Sequence, residues 1–146
     1  MRKLLPIVLL MLIINSMSSD ELLFNNTMLI SQIAKPKPIE IEVTATMYYA
    51  TIGSCDDTPY VTAGLYHINP TKASKQRFIA LSRNLLKRWK GKFNYGDSVR
   101  ISGAGNKDGT YKVVDTMNKR FKNRIDFLET VGTKKYKYNN VKLTKV

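Results

Sequence analysis

The chain has 146 residues, with 24 lysines and arginines against 11 acids, one histidine and one cysteine, and a formal net charge of +13. That length suits a short leader followed by one small domain. A single cysteine excludes an intramolecular disulfide, and one histidine without an H-E-x-x-H or C-x-x-C pattern argues against a zinc site, so no metal or other cofactor is expected.

In chain order, Met1-Arg2-Lys3 is a positive start, Leu4–Ile14 is an apolar core of eleven residues, and small and polar residues follow to Asp20. This is the layout of a secretory signal peptide over residues 1–19, and the core is short for a membrane span. The expected product is exported, either secreted or held in the periplasm or cell envelope; an uncleaved leader would instead tether the chain to the membrane. Losing Arg2 and Lys3 with the leader lowers the charge from +13 to +11. Such a positive field draws polyanions, and for an exported protein an anionic wall or lipid is a more fitting partner than nucleic acid.

Residues 20–38 read as a linker. Their first part, up to Ala34, is weakly amphipathic and admits a short helix or a disordered lead, and Lys35-Pro36-Lys37-Pro38 is an extended spacer. From Ile39 to Tyr48 apolar and polar residues alternate with period two, which predicts a strand. Residues 51–76, with Gly53, Pro59, Gly64 and Pro70, predict a long loop. Phe78–Leu81 is a short buried strand, and Ser82-Arg83-Asn84 can cap a small helix over Leu85–Trp89 that stops at Gly91. Further strands are predicted at Ser98–Ser102, Thr110–Thr116, Asn123–Leu128 and Asn140–Val146, with a hairpin loop over Gly103–Gly109. Six short strands with turn residues between them predict a mainly β fold, a closed six-stranded barrel over residues 39–146 with one short helix.

Among the candidate chemical groups, His67 has no supporting motif, and no G-x-S-x-G or glycine-rich phosphate loop is present. Carboxylates remain. Asp115 and Asp126 lie eleven residues apart, each inside an apolar stretch, Val113-Val114-Asp115 and Ile125-Asp126-Phe127, with the basic run Lys119-Arg120-Phe121-Lys122 between them. Charges are seldom placed among apolar residues without a partner or a task.

Six segments in order resemble the three-aspartate domain, a double-psi β-barrel. They are Val43–Tyr48 (V-T-A-T-M-Y), Thr62-Ala63-Gly64, Ile79-Ala80-Leu81, Tyr95–Ile101 (Y-G-D-S-V-R-I), Gly109–Thr116 (G-T-Y-K-V-V-D-T) and Arg124–Phe127 (R-I-D-F). The resemblance covers residues 43–146, and extends to the catalytic barrel of membrane-bound lytic transglycosylase A and related wall-remodelling proteins. It departs at three places: Ser82 stands where the family has its first aspartate, Met117 and Asn118 replace two glycines, and Asn123 replaces a third.

The resemblance implies an exported, monomeric enzyme that cleaves peptidoglycan glycan strands, with Asp126 as the acid/base and Asp115 as its neighbour in the cleft. A lytic transglycosylase needs one acid. It protonates the glycosidic oxygen, then takes a proton from the sugar's own C6 hydroxyl as a 1,6-anhydro ring closes. Such an acid must hold its proton near neutral pH, which calls for an apolar setting and a nearby like charge. Thr46, Tyr48, Thr62, Lys119 and Arg124 are the candidate substrate-binding residues, each with a packing or solvated role as its plain alternative. The competing function is a wall-binding barrel without catalysis; more distant is a secreted module that binds polyanions through charge.

Overall fold

The computed structural model describes residues 18–33, 38–51 and 58–146. The leader core at Leu4–Ile14, residues Lys35–Lys37 of the spacer and Cys55 lie outside the described residues. The chain divides into two compact units, Met1–Lys37 and Pro38–Val146. In the first, α1 spans Ser19–Ile33. Its start is a capping box: the Glu21 amide donates to Ser18 Oγ at 3.3 Å, and the Ser18 amide donates to Glu21 Oε2 at 3.2 Å. Of the helix and the disordered lead that the sequence admits here, the helix is realised over Ser19–Ile33.

The second unit is a closed barrel of β1 (Glu40–Tyr49), β2 (Phe78–Leu81), β3 (Ser98–Ser102), β4 (Gly109–Thr116), β5 (Arg124–Glu129) and β6 (Tyr138–Lys145). All six strands lie within about two residues of their predicted bounds. Their order around the barrel is β1-β5-β2-β4-β3-β6, with β1–β5 and β2–β4 parallel and the other neighbours antiparallel. Exchanging β1 with β4, β2 with β5 and β3 with β6 leaves that order and every orientation unchanged. The barrel is thus built from two equivalent three-strand halves wound into each other, a double-psi barrel. Period-two alternation supplies the core: Val43, Ala45, Ile79, Leu81, Val99, Ile101, Val113, Ile125, Phe127, Val141 and Leu143 are buried against one another.

The predicted helix at Leu85–Trp89 does not form. Two single-turn 3₁₀ segments, Arg83–Leu85 and Lys87–Trp89, stand in its place, separated by Leu86 in extended conformation. A five-residue helix has little cooperative stability of its own, and other partners claim its backbone. The Lys87 amide donates to the Phe93 carbonyl at 2.7 Å, and the Lys92 and Phe93 amides donate to the Leu85 carbonyl at 2.8 and 3.0 Å. With Leu86 extended, Leu85 and Leu86 both reach the core. Gly91 closes this loop against the chain itself: a Cβ there would lie 2.1 Å from the Leu85 carbonyl carbon.

Glu129, at the end of β5, is a buried acid that the sequence pattern did not mark. Its carboxylate accepts hydrogen bonds from Ser74 Oγ at 2.6 Å and Tyr136 Oη at 2.5 Å, and pairs with Lys107 Nζ at 2.6 Å. Burial pushes its pKa up, but these three donors outweigh burial and hold it below the ordinary value. One carboxylate therefore ties β5 to the loops before β2, before β4 and before β6.

Two stability predictions follow from these contacts. Gly91→Ala should cost about 3 kcal/mol, because backbone rather than a flexible side chain fills the space; a denaturant midpoint close to that of the unaltered chain would refute the close packing. Glu129→Gln should cost about 2 kcal/mol at pH 7, since Lys107 keeps some contact with water. A depressed carboxyl contributes stability above the unfolded pKa of about 4.3 and loses it as pH falls through the folded value. The difference between variant and parent should accordingly shrink below about pH 4 when melting is followed across pH.

Candidate active site

Cross-strand register brings four residues into one row. Thr46 on β1 pairs with Asp126 on β5, Asp126 pairs with Ala80 on β2, and Ala80 pairs with Asp115 on β4. The strand neighbours of the first three, Ala45, Ile125 and Ile79, belong to the core, so the row lies on the outer face of the barrel. Asp115 reaches that face through a bulge. Tyr111 and Val113 point inward, and strict alternation would turn Asp115 inward as well. The register instead passes from Ile79–Val113 to Ala80–Asp115, leaving Val114 as an extra residue, and the insertion switches Asp115 to the face shared with Asp126. Because β2 intervenes, the two aspartate backbones are about 10 Å apart, two strand spacings. Ala80 adds only a methyl group between them, which leaves room for a cleft of about 440 Å³ lined by Tyr48, Ala80, Asp115, Asp126, Arg120 and Phe121 among others.

The loop before β2 forms one wall of this cleft. Gly64 sits on the bulge: its amide donates to the Val114 carbonyl at 2.9 Å, and a Cβ at this position would approach that oxygen to 2.7 Å. The neighbouring Ala63 amide donates to Asp115 Oδ1 at 3.1 Å, and the Thr116 amide donates to the same oxygen at 2.8 Å. Tyr48 Oη donates to Asp115 Oδ2 at 3.3 Å. Asp115 is thereby held by donors on both of its oxygens and fastens the loop to the barrel.

Asp126 differs. Thr46 Oγ1 donates to its Oδ1, and no described residue occupies its Oδ2. Burial raises its pKa above the ordinary carboxylate value, opposed by the Thr46 hydrogen bond and then by the positive charge of Arg124. Burial does this without Asp115; the like charge anticipated as a second cause is held too far across the row.

The remaining sequence candidates fall at varying distance from this centre. Tyr48 lines the cleft, and Thr46 holds its acid. Arg124 is two residues before Asp126, on the same face of β5. Thr62 is turned to its own loop: it is buried, and its Oγ1 accepts the Tyr66 amide at 3.0 Å. Lys119 is exposed, and its neighbours Arg120 and Phe121 line the cleft in its place. Ser82 is fully buried; its Oγ accepts the Arg124 amide at 3.0 Å and its own amide donates to the Arg124 carbonyl at 2.9 Å. It clamps β2 to β5 beneath the cleft. Asn123 has φ +48°, a left-handed conformation that asparagine tolerates better than most residues, and its side chain accepts from Asn84 Nδ2 at 2.6 Å. Among the described residues, no three His, Cys, Asp or Glu side chains gather as a metal would require.

No protein-family model matches this sequence, and no curated protein is similar enough to count as a relative.

The raised acid carries a stability signature independent of any substrate. A carboxyl whose folded pKa exceeds its unfolded value of about 3.9 costs the fold nothing below that pH; the cost grows as pH rises to the folded pKa and is constant above it. Asp126→Asn keeps an oxygen for Thr46 and removes the charge, so it should melt higher than the parent at pH 7 and equally near pH 3. A variant less stable at both pH values would show that Asp126 is a structural acceptor instead.

Proposed function

We propose that this protein is an exported, monomeric lytic transglycosylase that cleaves the glycan strand of peptidoglycan through one acid, Asp126. The observation that carries the reading is a half-buried carboxyl that lines the cleft, its pKa raised by burial, with one oxygen held by Thr46 and no described donor on the other. The motif resemblance to the three-aspartate domain supplies the reaction class, and the mixed six-stranded barrel is compatible with it.

In this reading, protonated Asp126 Oδ2 gives its proton to the glycosidic oxygen as the bond to C1 breaks, and the departing sugar leaves as a neutral alcohol. The Asp126 carboxylate, steadied by Thr46 and by the charge of Arg124, then removes the proton from the C6 hydroxyl while O6 bonds to C1. The carboxyl ends in the state in which it began, and no water enters the products. An inverting hydrolase would require Asp115 as a second, water-activating base. Its oxygens already accept two backbone amides and the Tyr48 hydroxyl, which suits an anchor of the loop better than a base free to activate water.

Mass spectrometry of the soluble products from purified sacculi tests the reading. The expected products carry 1,6-anhydro ends. Asp126→Asn should lower their rate of release by about 10²–10⁴-fold while retention on insoluble wall persists. Asp115→Asn should lose less, because an asparagine oxygen can still accept the Ala63 amide. Reducing ends in place of anhydro ends would mean hydrolysis, and retention on sacculi without soluble products between about pH 4 and 8 would establish the alternative, a wall-binding barrel.

A further inference from the structure

Between β4 and β5 the chain crosses the mouth of the cleft over residues 117–123. Asn118 shapes the crossing: its Oδ1 accepts the Arg120 amide at 3.1 Å, and its carbonyl accepts the Phe121 amide at 3.0 Å. Arg120 and Phe121 consequently line the same cleft as Asp126 and Asp115. The Phe121 ring carries two guanidinium groups, with the Arg120 carbon 4.8 Å and the Arg124 carbon 5.1 Å from its centre. Two cations that close to one ring lie within about 10 Å of each other, close enough to repel at physiological ionic strength. Among the described residues neither is in an ion pair. Arg124 also shares the outer face of β5 with Asp126, and its backbone is fixed to Ser82 on both sides of the peptide. Two guanidinium groups held against one ring beside the cleft, neither in a salt bridge among the described residues, are suited to an anion that bridges them, and the planar guanidinium fork favours a carboxylate.

We infer that Arg120, Arg124 and Phe121 form a carboxylate-binding subsite that selects an acidic, muramyl-bearing glycan over a neutral amino-sugar polymer. The inference rests on the reading of Asp126 as a glycan-cleaving acid, and it names the specificity of that same cleft. Two carboxylate sources fit the chemistry. One is the lactyl carboxylate exposed on the muramyl ring once its peptide is removed, and the other is a carboxylate of an attached peptide stem. The Phe121 ring holds the two arginines by cation–π contact and offers an apolar edge to the sugar.

Binding to the Asp126→Asn protein, measured by isothermal titration, separates specificity from cleavage. The probes are a neutral N-acetylglucosamine oligomer, a muramyl glycan stripped of peptide by an amidase, and the same glycan with its stems. At least one muramyl ligand should bind about tenfold or more tightly than the neutral oligomer. Adding Arg120→Ala and Arg124→Ala should erase that preference. A control with Lys134→Ala and Lys135→Ala, which removes the same two charges from exposed positions outside the cleft, should keep it. A tighter stripped ligand assigns the lactyl carboxylate, a tighter stemmed ligand assigns the stem, and either supports the subsite. Equal affinity for the neutral oligomer, or a preference lost as readily in the lysine control, overturns it. Cleavage of sacculi by the unaltered protein is scored separately, so anhydro products without a preference would sink the subsite alone, and a preference without products would sink the enzyme alone.

Discussion

The arrangement of the cleft depends on the register of one short strand. β2 has four residues and lies between β4 and β5, and its Ala80 is the only side chain between the two aspartates along the row. A one-residue slip against β5 would place Ile79 or Leu81 opposite Asp126, exchanging core and surface faces along the strand. The slip is prevented from both sides, because Ile79 and Leu81 are fully buried and Ser82 clamps the end of the strand to Arg124. The geometry of the row is therefore held by hydrophobic packing on the inner face together with the Ser82 clamp, and the polar row on the outer face inherits its order from them.

The electrostatics of the cleft oppose those of the chain. A protein with a surplus of thirteen positive charges would ordinarily hold every carboxyl ionised, and Arg124 does act on Asp126 in that direction. Burial acts the other way and is the larger effect, so the pKa of Asp126 lies above the ordinary carboxylate value. Asp115 sits differently, with two backbone amides and the Tyr48 hydroxyl donating to its oxygens. Two acids in one cleft thus stand in different environments, set by burial and by what donates to each.

Much of this architecture is legible in the sequence. Period-two alternation marks β1, and short runs of strand-forming residues between turns mark the other five, including β2, whose residues 79–81 are all buried. The pairing of Asp115 with Asp126 was legible only as a motif. Strict alternation from Tyr111 and Val113 puts Asp115 inside the barrel, and nothing in Val113-Val114-Asp115 announces the bulge that turns it out. The bulge is a property of the partner strand and of Gly64 seated against Val114, neither of which is local. Leu85–Trp89 misled for a related reason: its residues favour a helix, but the carbonyl of Leu85 is claimed by amides on the far side of Gly91. Glu129 escaped notice because its partners, Ser74, Lys107 and Tyr136, are scattered along the chain. The basic run Lys119-Arg120-Phe121-Lys122 does not reveal which member faces inward: Arg120 and Phe121 line the cleft, and Lys119 is exposed.

The symmetry of the barrel explains why a functional asymmetry could settle here. Exchanging the two halves maps β2 onto β5, and with it Ile79-Ala80-Leu81 onto Ile125-Asp126-Phe127. The pairs Ile79–Phe127 and Leu81–Ile125 interconvert under this exchange, so the axis passes through the pair Ala80–Asp126. By the same operation Thr46, the partner of Asp126, corresponds to Asp115, the partner of Ala80. One half of the barrel thus presents threonine and alanine where the other presents two aspartates. An acid in place of Ala80 would fill the cleft and set a like charge directly beside Asp126. An acid in place of Thr46 would remove the donor that orients it. The small residue and the hydroxyl are therefore as much a part of the cleft as the carboxyls: the second half of the barrel supplies the acids, and the first supplies the space between them and the hydrogen bond that orients one of them.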